Sequence, residues 1–319
     1  MASGSEATVS TPSQAQIQRH FLLRRLHSLT GIVPIGVFLV AHLVTNSSLA
    51  WGRFALRGQG EGLSVSQGGV KYFQHEVSWI NEQVPHLLLI EITLWASIAF
   101  HSILGVVYAT SGKSNIQRYP HQDNWRYSLQ RITGYVGIIF IFYHVATLRW
   151  GWNFLIPEGT KWSHSFSAST LAAAMQGSTE GFTLLGVAVS VLYMVGVTAL
   201  VFHFANGLWT AAITWGITIS AKAQKRWGVA CAGLGAMLML AAWSALIATM
   251  TLDYDEAHLM ERQRFIEKYG VEEYEAYLQS KGIVPGEAAE EGLRQPNEPT
   301  AALPKGDESL ELATALGRG

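Results

Sequence analysis

Five long apolar runs dominate the chain, at about 29–50, 85–110, 132–150, 182–208 and 227–250, each ended by polar or charged positions. Each is long enough to cross a ~30 Å hydrocarbon core as roughly 20 residues of helix. The pattern predicts an all-α membrane protein with five transmembrane helices. From Gly181 to Ala221 there is no Asp, Glu, Lys or Arg. That stretch exceeds one crossing, so Leu208–Ser220 is expected near or along the interface. The composition agrees: 49% hydrophobic residues against 14% charged, clustered rather than dispersed, which favours a membrane protein over a large soluble core.

Charge gives the runs a direction. Arg19, Arg24 and Arg25 precede the first run. Lys113, Arg118, Arg126 and Arg131 lie between the second and third, and Lys222, Lys225 and Arg226 between the fourth and fifth. The opposite loops hold only Arg53, Arg57, Lys71, Arg149 and Lys161. Basic flanks stay in the cytoplasm, so the N-terminus is expected inside and, after five crossings, the C-terminus outside. Ser48-Leu49-Ala50 weakly resembles a signal cleavage site, but the run before it is long enough to span and is read as retained. Residues 253–319 hold 15 acidic and 7 basic side chains, net −8, leaving +7 on the rest. Three regions are therefore expected: a flexible segment 1–20, a five-helix domain 21–252, and an acidic, partly disordered extracytoplasmic tail 253–319. Within the tail, 255–279 has the composition of a polar helix, while Pro285, Pro296, Pro299 and Pro304 mark disorder. The lone cysteine, Cys231, excludes an internal disulfide, an iron–sulfur cluster or a Cys-rich zinc site.

Candidate chemistry comes from histidine. His42, His101, His144 and His203 each lie late in a separate apolar run. At 1.5 Å per residue, His42 is ~20 Å beyond Leu29 and His144 ~18 Å beyond Ile132, both counted from the inner side. His101 is ~24 Å beyond Pro85 and His203 ~30 Å beyond Phe182, both counted from the outer side. Alternating direction thus pairs His42 with His144 in the outer half and His101 with His203 near the inner face. Buried ionisable residues in a bilayer are rare and usually functional. Two axial imidazoles leave haem iron no open position, so it only gains and loses electrons. Two stacked bis-histidine haems are the expectation.

The neighbouring residues fit. Gly105 and Gly207 follow His101 and His203 by four positions, on the same helix face, and leave room for a flat macrocycle. Arg25 to Gly31 and Arg131-Ile-Thr-Gly134 form a weak repeated entry into the first and third runs. Arg24, Arg25, His27, Ser28 and Arg131 stand where propionates need cations or hydroxyls, with His27 a propionate or quinone contact. Glu91 is the one carboxylate well inside a run, suited to proton relay toward a quinone or to pairing with Arg149. His75 and Glu76 are candidate quinone contacts in the outer loop.

Arg24-Arg-Leu-His-Ser-Leu-Thr-Gly31, Ala41-His-Leu-Val-Thr-Asn46, Gln130-Arg-Ile-Thr-Gly134, Phe202-His-Phe-Ala-Asn-Gly-Leu-Trp209 and Thr214-Trp-Gly-Ile-Thr218 closely resemble the di-haem cytochrome b anchors of succinate dehydrogenases and fumarate reductases. The likeness covers about 17–250 and is greatest to the single-chain, five-helix anchors that serve menaquinone. The resemblance implies two haems b, with His101 and His203 on the inner one and His42 and His144 on the outer. It implies a flavoprotein subunit with FAD and an iron–sulfur subunit on the cytoplasmic face of the cell inner membrane, and quinone, most simply menaquinone, as acceptor. No catalytic residue for succinate is expected in this chain, and nucleic acid is not among its partners. The acidic tail has no counterpart in that pattern, and the 51–84 loop matches it poorly. A haem b anchor of another respiratory dehydrogenase, or a haem-free transporter using the histidines as a proton relay, are the alternatives.

Overall fold

The structure is a computed structural model that describes residues 13–111, 123–152, 154, 156 and 161–280. Lys113, Arg118, His121 and the tail from 281 onward lie outside the described residues. Among those described there is no strand. The helices are α1 (Gln14–Thr30), continued through a π-turn (Gly31–Gly36) into α2 (Val37–Ala55), then α3 (Val65–Gln83), α4 (Leu87–Ser111), α5 (Asp123–Leu148), α6 (Ser167–Gln176), α7 (Leu184–Thr214), α8 (Ala221–Met250), α9 (Tyr254–Tyr269) and α10 (Val271–Ser280). Five helical stretches are long and apolar enough to cross a membrane: 14–55 as one piece, α4, α5 from Trp125, α7 and α8.

Local chemistry sets the boundaries. Ser13 and Ser64 open α1 and α3 as capping boxes with Gln16 and Gln67, satisfying amide donors that a helix start leaves free. Thr183 and Ser220 cap α7 and α8. Pro34 lies inside the first span without ending it. It has no amide to donate, and the wider π-turn absorbs the interruption. Thr30 Oγ1 donates to the carbonyls of Leu26 and His27, both at 3.0 Å, tying the helix just before the break. Gly177, at φ 89°, closes α6 in the left-handed region that glycine tolerates.

Two sequence expectations meet a different course. The first helix begins at Gln14, fifteen residues before the apolar run. And α7 continues unbroken through Leu208 to Thr214, leaving only a short turn before α8.

α7 packs against α5, α6 and α8, while α2 packs against α3 and α8. Leu43, Val201, Leu238 and Ala242 join α2, α7 and α8; Phe140, Met175, Val189 and Tyr193 join α5, α6 and α7. In lipid, close packing rather than water exclusion holds helices together, and small residues admit it. A Cβ on Gly196 would collide with the Phe140 ring. On α4 only Ser97 is buried, and Leu88, Leu89, Ile92 and Ile103 are exposed apolar positions, as a lipid-facing helix requires.

The bundle has a basic end, carrying Arg24, Arg25, Arg126 and Arg131, and an opposite far end. At the far end α6 begins at Phe166, which supplies no side-chain cap. Its free amides are taken from outside. Gln74 Oε1 of α3 accepts from the amide and hydroxyl of Ser167 at 3.0 and 2.7 Å. Glu261 of α9 accepts from the amides of Ala168 and Ser169 at 2.6 and 3.3 Å and from Ser169 Oγ at 2.6 Å. Leu49, Val70, Phe73, Val77, Ala168, Ala172, Leu252 and Ala257 form an apolar core beneath these bonds. The chain divides into two compact units, the first extending past Leu252 to Arg264 and the second beginning at Phe265. In the second, the Phe265 ring contacts those of Tyr274 and Tyr277, 5.9 and 5.6 Å away between centres.

Candidate functional site

The four histidines meet in two pairs. The rings of His101 (α4) and His203 (α7) have centres 6.0 Å apart and planes at 84°. Those of His42 (α2) and His144 (α5) have centres 5.7 Å apart and planes at 81°. Two metal–imidazole bonds of about 2 Å, plus roughly 1 Å from each nitrogen to its ring centre, require about 6 Å. Each ring keeps part of its surface uncovered by protein. Among the described residues no three His, Cys, Asp or Glu gather around one point. The donor set therefore suits an iron whose other ligands come from a macrocycle, not a bare ion.

At the basic end the tautomers are fixed. His101 Nδ1 is 2.8 Å from the carbonyl of His27, and His203 Nδ1 is 3.0 Å from the carbonyl of Gln130. A carbonyl only accepts, so each Nδ1 carries the proton and each Nε2 keeps its lone pair for a metal. This is the outer-shell partner that metal-bound histidines need.

The two acceptors belong to one repeated device. His27-Ser-Leu-Thr-Gly31 and Gln130-Arg-Ile-Thr-Gly134 each place a threonine three residues, and a glycine four residues, after the accepting carbonyl. Thr30 and Thr133 hydroxyls donate to those same carbonyls at 3.0 and 3.3 Å. The glycines leave the carbonyls uncovered for the incoming imidazoles. A Cβ on Gly31 would fall 2.5 Å from His101 Cε1, and one on Gly134 3.1 Å from His203 Cε1. The repeat visible in the sequence thus serves not the histidine of its own span but the histidine of a neighbouring one. A Cβ on Gly105 would meet only His27 Cε1 at 3.3 Å, and one on Gly207 only Gln130 Nε2 at 3.4 Å. Both positions leave room beside His101 and His203.

The far pair is held by side chains. His144 Nδ1 lies 3.3 Å from the Tyr193 hydroxyl, and Phe140 stacks on the same ring at 5.8 Å. His42 Nδ1 is a longer 3.5 Å from Asn46 Nδ2, whose better bond, at 2.8 Å, goes to the His42 carbonyl.

His27 stacks on His101, ring centres 4.0 Å apart and planes within 10°, and its Nδ1 is buried without a hydrogen-bond partner. Arg25 lies over the Phe21 ring at 4.0 Å, with Nε likewise buried and unpartnered. Orphaned buried polar atoms on neighbouring residues of α1, one of them on the ring stacked against His101, are what an anionic group bound there would satisfy. Ser28 Oγ accepts from Trp215 Nε1 at 2.8 Å, and Arg24 and Arg131 lie 5.5 and 4.4 Å from the Tyr108 and Tyr127 rings. Arg24, Arg25, His27 and Ser28 are neighbours on α1, whereas Arg131 enters from α5. Glu91 forms a two-point ion pair with Arg149, at 2.7 and 2.9 Å. His75 and Glu76 are adjacent on α3, 3.5 Å apart.

Sequence reasoning missed Glu261. It is 1% exposed although it reads as one acid among many in a charged tail. Burial raises its carboxyl to about 7, against the lowering effect of the bonds from Ser169 and Ala168. Cys231 is buried and packs, as expected.

No family model matches the chain, and no solved structure matches it. It is 32% identical over 208 residues to the succinate dehydrogenase cytochrome b558 subunit of Bacillus subtilis (strain 168), covering 65% of this chain and 86% of that protein. With five apolar helices beside that likeness, this is a multi-pass cell-membrane protein, and the chain belongs to the family of succinate dehydrogenase cytochrome b subunits.

Proposed function

We propose that the chain anchors a succinate:quinone oxidoreductase and carries electrons from its iron–sulfur subunit through two haems b to quinone, most simply menaquinone. One observation carries this reading: two histidine pairs on four membrane-spanning helices, each at the separation a shared iron needs. His101 and His203 would hold one haem, His42 and His144 the other. When bound, such a group supplies a one-electron couple with no open coordination position.

The chain's own residues do the rest. The carbonyls of His27 and Gln130 keep the Nδ1 protons of His101 and His203 in place and leave each Nε2 lone pair free for an iron. Arg24, Arg25, His27, Ser28 and Arg131 offer cations and hydrogen-bond donors to propionates at the basic end. Phe140, Tyr193 and the apolar core around them exclude water from the far pair. The excess of basic flanks argues for the basic end in the cytoplasm, against the flavoprotein and iron–sulfur subunits. Quinone reduction with proton uptake then falls to the far end, with Glu91, His75 and Glu76 as candidate proton-carrying groups. Oxidation of succinate belongs to the flavoprotein partner.

Purification of the tagged chain from its native membrane tests this. The expected complex contains FAD, iron–sulfur clusters and two haems b per chain, and reduces a menaquinone analogue with succinate. Nickel or molybdenum in place of FAD would assign the chain to another dehydrogenase, and a colourless protein would overturn the reading.

A further inference from the structure

We propose that Asn206 is a positioning residue for His203, acting through Gln130. The inference rests on the haem reading above. Asn206 is 3% exposed, in the last third of an apolar helix and three residues from His203, a costly place for an amide unless its hydrogen bonds are made. They are made in series. Arg126 Nε donates to Asn206 Oδ1 at 2.9 Å, and Asn206 Nδ2 donates to Gln130 Oε1 at 2.8 Å. Gln130 Nε2 then donates to the carbonyl of His203 at 3.1 Å, while the carbonyl of Gln130 receives the His203 Nδ1 proton at 3.0 Å.

Gln130 therefore grips His203 twice, once by its side chain and once by its backbone, and Asn206 fixes the side chain that makes the first grip. The other end of the chain is anchored too. Arg126 lies 4.0 Å from the centre of the Trp209 ring, whose Nε1 donates to the carbonyl of Gln224 on α8 at 3.0 Å. One relay thus links α5, α7 and α8 and ends on the backbone carbonyl of His203, whose imidazole the same Gln130 holds through its own carbonyl. His101 has no such relay on its acceptor: the His27 carbonyl is steadied by Thr30 alone among the described side-chain donors. Outer-shell partners of this kind set the basicity of a ligating imidazole and the electronics of its metal. A firm Nδ1–H bond gives the ring more anionic character and favours ferric iron; loosening it favours the reduced state.

The test is a redox titration of the haem spectrum in the intact complex, with Asn206→Leu, Gln130→Leu and the double variant beside wild type. Each single variant is expected to raise the reduced-to-oxidised ratio of the haem on His101 and His203 about threefold at fixed potential, with a changed low-spin resonance signal. The haem on His42 and His144 stays unmoved. The double variant shifts no further than either single one, because both cut the same relay. Gln130→Leu keeps the backbone acceptor and asks the same question if Asn206→Leu fails to assemble. An unshifted potential in the single variants, or additive shifts in the double, would overturn the proposal. A wild-type complex without haem would remove the underlying reading, and this one with it.

Discussion

Once Nδ1 of an imidazole is committed to a carbonyl, the ring has one nitrogen left to offer. His101 and His203 meet that condition because Gly31 and Gly134 leave room for them. The clearances differ, and so should the consequences of filling them. Gly31→Ala would place a carbon 2.5 Å from His101 Cε1 and 2.8 Å from its Nδ1, whereas Gly134→Ala stops 3.1 Å from His203. Overpacking costs about 1–3 kcal/mol where neighbours can shift and more where they cannot. Haem content measured per chain should therefore fall by more than half in Gly31→Ala and only slightly in Gly134→Ala; the reverse order would contradict the seating described. The four histidines were legible in the sequence, and the structure brings them together in the expected pairs, because histidine inside an apolar run has few structural uses. Their acceptors were not, since a backbone carbonyl is common to every residue. The Thr-Gly repeat was visible, but its purpose lies across the helix interface, where one-dimensional spacing gives no guidance.

Helices were read by length and hydropathy, and that succeeded where lipid dictates composition. It failed at the polar edges. Residues 14–28 are helical through the Ser13 capping box although they are too polar to read as part of the span, which continues across Pro34 as its hydropathy implied. α9 shows the same limit: its composition predicts a helix, but nothing in it announces that Glu261 points into α6. That burial has a pH signature. The folded carboxyl titrates near 7 against an ordinary value of 4.5. As pH rises from about 4.5, the undocked helix loses its proton first. The Glu261 contribution to docking is full below that pH and declines until about 7, by roughly 3 kcal/mol at most. His258, lowered by burial and by Arg262, weakens docking as pH falls below about 6.5 and so opposes it. Glu261→Gln removes the titration together with one of the two acceptor oxygens, so the pH dependence is the readout: hydrogen exchange of α9 amides, taken relative to wild type, should be slower at pH 8 than at pH 5. Equal effects at both values would mean that the carboxyl is already neutral or already solvated.

For the molecule as a whole, the bundle is polarised, with backbone-held histidines and arginines at one end and a helical cap at the other. The Arg149–Glu91 pair shows how little one surface contact adds to that design. Its arginine side chain is 62% uncovered by protein and follows the end of α5, and where such a guanidinium reaches water the pair contributes about 0–1 kcal/mol. Arg149→Ala should leave the thermal midpoint of the complex within a few degrees of wild type in a dye-free melting assay, and a large drop would reveal a structural role. Orientation is testable separately. An alkaline phosphatase fused after Ser280 should be active, and a fluorescent protein there should be dark, if the basic end faces the cytoplasm; the opposite pattern would invert the bundle. The central claim is the pairing itself. Reduced-minus-oxidised spectra with a pyridine-haemochrome count, on wild type and on His42→Ala, His101→Ala, His144→Ala and His203→Ala, address it directly. Two haems b are predicted in wild type, with His101→Ala and His203→Ala losing one and the same haem and His42→Ala and His144→Ala losing the other. Losses that pair the histidines differently, or a haem indifferent to all four changes, would contradict it.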